Sequence, residues 1–126
     1  MCLDYTIEGK PDWKIGYKVM RQKDKHLYGE YRTEKLRRPI GKWLDEKNFQ
    51  DPFSSTLEFL YTKNGIFYPK GWHVYESLKD IPILLYSYYV IRKVKCRQPL
   101  AQGYQKKSKV GIFKEIMFIK GAKICV

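Results

Sequence analysis

Residues 90–97 read Val-Ile-Arg-Lys-Val-Lys-Cys-Arg. In an extended chain alternate positions fall on opposite faces, and here Val90, Val94 and Cys96 share one face. The other face carries Ile91, Lys93, Lys95 and Arg97. This period of two predicts a strand with one buried face.

Residues 110–119 read Val-Gly-Ile-Phe-Lys-Glu-Ile-Met-Phe-Ile, with both faces apolar apart from Lys114 and Glu115. A strand that is apolar on both faces is typical of the centre of a sheet. Residues 98–109 contain a proline, a glycine and three lysines, which predicts a linker between the two strands.

The rest of the chain shows weaker patterns. Shorter strands are predicted at 13–20, 27–31, 42–44 and 72–75. Ser77 followed by Asp80 is typical of a helix cap, so a helix is predicted from Leu78 to about Tyr88.

Residues 55–62 fit two structures. Their Ser-Thr-Leu-Glu start has the spacing of a capping box, which favours a short helix. The same residues equally suit a strand that an Asn-Gly turn at 64–65 joins to a strand at 66–68. The 126-residue chain is therefore predicted to be a single α+β domain, 1–126, with a mainly antiparallel sheet and one or two short helices.

The composition indicates a globular protein. Cys2, Cys96 and Cys125 have no C-x-x-C spacing, which argues against a disulfide framework and a zinc site and favours a reducing compartment. The longest uncharged stretch, 81–91, contains a proline and is too short for a membrane span, and no signal peptide is evident. We expect a soluble cytoplasmic protein that needs no cofactor or metal and contacts no membrane.

The positive charge is concentrated in the C-terminal part, 81–126. That part has ten Lys/Arg and one acid, Glu115, a net charge of +9 out of +12. Such a local field attracts polyanions. The predicted contact residues form two groups. The first is a row on the strand, whose side chains are about 7 Å apart at ~3.3 Å rise per residue, and the second is a lysine loop. They are Lys93, Lys95, Arg97, Lys106, Lys107 and Lys109. A solvated strand face that aids solubility is the equally weighted alternative.

The sequence Gly71-Trp72-His73-Val74-Tyr75 contains the candidate catalytic residues. His73 and Tyr75 share one side of the predicted strand, where they would bind an anion or transfer a proton. The alternative is that His73 hydrogen-bonds to the backbone and fixes the corner that follows the strand. The chain's only other histidine is His26, so no metal site is predicted.

This Gly-aromatic-His stretch, followed by a capped helix and the strands predicted at 90–97 and 110–119, resembles a type of small uncharacterised phage and prophage protein. Tyr75 stands where that type often has a cysteine. The resemblance implies a phage-like origin and the cytoplasm of the host, and it implies no particular reaction.

Three functions remain open. The leading hypothesis is a non-enzymatic binder whose basic face contacts nucleic acid or a nucleic-acid-bound host complex, for example in anti-defence. The second is an enzyme acting on nucleotides or phosphate esters, similar to an ADP-ribosyltransferase, that uses His73 and Tyr75. The third is a virion or scaffold component that meets an acidic protein.

Overall fold

A computed structural model describes residues 3–23, 26–28, 38–49, 59–62, 65–81 and 89–124. Within these residues the chain is mostly strand, and two short 3₁₀ turns lie at Glu46–Phe49 and Leu78–Asp80. The strands are β1 (Tyr5–Ile7), β2 (Ile15–Lys23), β3 (His26–Tyr28), β4 (Trp43–Asp45), β5 (Phe59–Tyr61), β6 (Phe67–Pro69), β7 (Trp72–Tyr75), β8 (Tyr89–Gln105) and β9 (Ser108–Ile124).

The fold is organised by the hairpin of β8 and β9, each 17 residues long. Seven strands form one sheet in the order β1-β8-β2-β7-β9-β4, with β3 beside β2, while β5 and β6 pair separately. Because β8 also pairs with β9, the strands β8, β2, β7 and β9 close into a circuit. The central position predicted for 110–119 is confirmed, since β9 has β8 on one side and β7 and then β4 on the other.

The circuit closes where β2 meets β7, at the pair Tyr17 and Tyr75. Gly16 makes this approach possible, because a Cβ there would lie 2.3 Å from Val74 Cγ1 and 2.8 Å from the Tyr75 carbonyl oxygen. No L side chain fits in that space without moving the backbone of β7.

The buried apolar residues of the described ranges form two hydrophobic clusters. The first consists of Met20, Leu44, Trp72, Val74, Val94, Cys96, Phe113, Ile116 and Phe118. The second consists of Leu3, Val19, Tyr68, Tyr75, Ile81, Ile91, Val110 and Ile112. In β7, alternation sends the neighbours Val74 and Tyr75 to different clusters.

The predicted α+β class is wrong, because the structure is mostly antiparallel β sheet with no helix of seven or more residues in the described ranges. The helix predicted from Leu78 ends after one 3₁₀ turn at Asp80. The Ser77 hydroxyl donates to the Asp80 carboxylate (2.7 Å) instead of capping a backbone amide, and Ile81 is extended, as residues before a proline usually are. No helix among the described residues has the length and apolar character that crossing a membrane requires.

The linker predicted at 98–109 is also wrong. β8 continues to Gln105, and only Lys106 and Lys107 form the turn. Pro99 is accommodated where the pairing with β9 shifts register before Ala101, a position typical of proline in sheets.

The other predicted strands are confirmed within shifted bounds. The prediction at 13–20 becomes β2, 42–44 becomes β4, and 72–75 is β7 as predicted. Of the strand predicted at 27–31, residues 27–28 belong to β3, and 29–31 lie outside the described residues. Of the two structures open for 55–62, the strand is present over the described residues 59–61, paired with β6. The predicted capping box lies outside the described residues, as does most of the helix predicted to reach Tyr88.

Candidate functional site

The basic residues of the strand row become more exposed to solvent along β8, from Lys93 to Arg97. Lys93 is half-buried opposite Tyr17 of β2, whereas Lys95 and Arg97 are exposed. Val94 and Cys96 point the other way and are buried, as their alternation predicts. Ile91, at the inner end of the row, is buried as well, so only the outer end of the row is an accessible cationic surface.

A groove of about 670 Å³ opens beside this outer end. It is lined by residues 11–15, by 95–99 of β8, and by Trp43 and Phe113; we call it the Trp groove. It lies where the segment before β2 reaches β8, with the Cys96 amide donating to the Lys14 carbonyl (2.8 Å).

The Trp groove combines apolar walls with cations. Trp13 and Phe113 meet edge to face with ring centroids 5.9 Å apart, and Trp43 lies on edge strand β4. Lys14 and Lys95 are exposed at the same groove. The lining contains three cations, with Arg97 as the third, and one acid, Asp12.

Arg97 lies against the ring of Trp43. Its guanidinium carbon lies 3.9 Å from the ring centroid, within the range of a cation–π contact. Two N–H groups of Arg97 donate to the two oxygens of Glu115, at 3.2 and 3.1 Å, and the Gln98 amide donates to the same carboxylate. Glu115 therefore offsets much of the charge of Arg97, and it fixes the plane of the guanidinium.

The predicted lysine loop does not join the strand row. Lys106 and Lys107 are exposed in the hairpin turn, about 30 Å of strand beyond Arg97 at ~3.3 Å per residue. Lys109 pairs with Glu76 (3.4 Å), and its ammonium lies 5.4 Å from the centre of the Trp13 ring.

His73 is half-buried between two hydrogen-bonding groups. The Tyr68 hydroxyl accepts from the Leu3 amide (2.8 Å) and lies 3.4 Å from His73 Nε2, and the tautomer of the imidazole decides which of these two groups donates. Burial lowers the pKa of His73 to about 3; the charge of Lys18 lowers it too, and a hydrogen bond with the Gly71 backbone acts in the opposite direction. Lys18 Nζ donates to the His73 carbonyl (2.9 Å).

These contacts favour the structural interpretation of His73. A histidine with a pKa of about 3 is neutral near pH 7 and is a weak base, far from the value that suits proton transfer there. Tyr75 is buried in the second cluster, and Tyr68 is the tyrosine that contacts the imidazole. Within the described ranges no three His, Cys, Asp or Glu side chains gather as a metal site would need.

Sequence reasoning missed the two groove tryptophans. The alternation of residues 13–20 placed Trp13 in a strand, whereas it precedes β2 and lies over Gly111, only 2.6 Å from where a Cβ would be. No sequence pattern indicated Trp43 as a groove residue, since its role depends on where the fold places Arg97. Arg92 was also missed: it is buried on the face of Val94 and donates to the Ile119 carbonyl (3.0 Å).

Comparison of the chain with protein-family models, with curated proteins and with solved structures finds no match. The resemblance to small phage proteins therefore stays a prediction.

Proposed function

We propose that this chain is a small phage-type accessory protein that acts by binding and catalyses no reaction. Its ligand is nucleic acid, alone or within a host complex, and the contact surface is the outer end of the basic row together with the Trp groove. In a phage setting this binding would serve anti-defence, for example by occupying a host nuclease complex.

The observation that carries the proposal is that exposed cations and aromatic side chains line one groove. Lys14 and Lys95 supply charge for phosphates, and Trp13 and Trp43 supply apolar ring surface beside them. A basic face that serves only solubility has no need of an aromatic concavity, whereas nucleic acid presents both anionic groups and flat rings.

The test is the affinity of the purified protein for a labelled oligonucleotide, followed by fluorescence anisotropy at low salt. Lys95→Glu should weaken binding by about tenfold, because it replaces attraction to a phosphate by repulsion. Lys107→Glu is the matched control, since it makes the same change of charge in the hairpin turn and should have little effect.

Two results would count against the proposal. One is no measurable binding at low salt; the other is an equal loss from Lys95→Glu and Lys107→Glu. Tighter binding to polyglutamate than to the oligonucleotide would favour the virion or scaffold alternative, in which the basic face meets an acidic protein.

A further inference from the structure

The Trp groove holds a stacking platform, formed by Arg97 and Trp43, that electrostatic binding alone does not require. The Arg97 guanidinium lies 3.9 Å from the centre of the Trp43 ring, and the carboxylate of Glu115 fixes its orientation. Arginine planes and aromatic rings are the groups on which proteins stack unpaired bases. A rigid platform loses little conformational entropy when a base stacks on it.

The walls of the groove fit the same kind of ligand. Pro11, Pro99 and Phe113 add apolar surface around the platform in the groove of about 670 Å³. The charges lie at its edge, where Lys14 and Lys95 are exposed. A ligand that matches this arrangement carries a flat apolar ring beside an anionic group.

A duplex does not present such a ring. Its bases are stacked and paired inside, so placing one in a groove requires unpairing at a cost of about a few kcal/mol. Single strands expose the faces of their bases and bind grooves that combine stacking with positive charge.

We infer that the ligand of the Trp groove is single-stranded nucleic acid, with one unpaired base stacked on the Trp43–Arg97 platform and its flanking phosphates beside Lys14 and Lys95. This inference rests on the proposed function and narrows it to unpaired strands. The groove reads the ring and the phosphate of a nucleotide, not the edge of a base pair.

The experiment compares a labelled oligothymidylate of about 15 nucleotides with a duplex of the same length, each titrated with wild type, Trp43→Ala and Phe67→Ala. Phe67 is the matched control because it is an aromatic residue outside the groove, 67% exposed. Trp43→Ala should weaken single-strand binding by about tenfold or more and leave duplex binding within about twofold. Phe67→Ala should change neither.

Trp43→Phe separates loss of the ring from loss of folding. It keeps an aromatic ring, so it should retain most of the affinity for single strands. If wild type binds duplex as tightly as single strand, or if Trp43→Ala and Phe67→Ala behave alike while both still bind, this inference fails and the proposed function survives. If neither oligonucleotide binds wild type, the proposed function fails with it.

Discussion

At the scale of single residues, the role of a side chain in this protein is set by its cross-strand neighbours. Lys95 and Arg97 look equivalent in the sequence, two positions apart on one strand. Arg97 pairs with Glu115 and stacks on Trp43, whereas Lys95 is exposed to solvent. Lys95 is therefore the better phosphate ligand, and Arg97 is the better stacking surface.

His73 gives a residue-scale prediction about pH. Its pKa is near 3 in the folded protein and about 6.5 in an unfolded chain, so the unfolded state binds the extra proton between these values. Stability is therefore full above pH 6.5 and falls as the pH drops from 6.5 through about 3. While this group dominates, the slope is about 1.4 kcal/mol per pH unit.

Chemical denaturation of wild type and His73→Gln from pH 7 to pH 5 measures this slope. The range stays above the pKa values of ordinary carboxyl groups, so the difference between the two proteins isolates the imidazole. His73→Gln should be less stable at pH 7 and nearly flat across the range. Parallel curves for the two proteins would show that His73 is not held neutral by the fold.

At the scale of elements, the sequence predicts which face of 90–97 is buried and that 110–119 is central in the sheet. Both follow from the positions of the apolar residues along the strand. The sequence does not predict that β8 continues through 98–105. Pro99 and Gly103 are ordinary loop signals, and here they are accommodated by a register shift and by close contact with β1. Such long-range contacts leave no local trace.

The same limit applies to the candidate site. The exposed lysine of the row was predictable from strand periodicity, but the groove was not. It depends on Trp13 and Trp43, which are 30 positions apart and line the groove together with residues 95–99 of β8. The cap predicted at Ser77 is absent for a different reason. The Ser77 hydroxyl binds the side chain of Asp80, so it does not bind a backbone amide of the turn that begins at Leu78.

Closure of the strand circuit gives the element-scale prediction. Gly16→Ala would place a methyl group 2.3 Å from Val74 Cγ1 and 2.8 Å from the Tyr75 carbonyl oxygen, and it should reduce the free energy of unfolding by about 3 kcal/mol. Gly41→Ala is the control. A Cβ at Gly41 would have no atom within 4 Å, and the φ there is +81°, so this substitution should cost only about 1 kcal/mol of backbone strain. Equal urea midpoints for the two variants would contradict the closure.

At the scale of the whole molecule, the positive charges of the C-terminal part do not form one continuous surface. One part lies at the outer end of the β8 row beside the Trp groove, and another lies at the hairpin turn, about 30 Å further along the strand at ~3.3 Å per residue. Arg92 is buried and Lys109 is paired with Glu76, so neither adds to an open surface. At the groove end, exposed cations and aromatic rings line one cavity.

The salt dependence of oligothymidylate binding by wild type and Lys95→Gln tests whether the groove end binds phosphates. We expect log Kd to rise linearly with log salt for wild type between about 50 and 200 mM, because bound phosphates release counterions. Lys95→Gln should lower that slope by roughly 0.7, the value for one phosphate contact on a single strand. A wild-type affinity independent of salt, or a slope that the Lys95 substitution leaves unchanged, would contradict the claim.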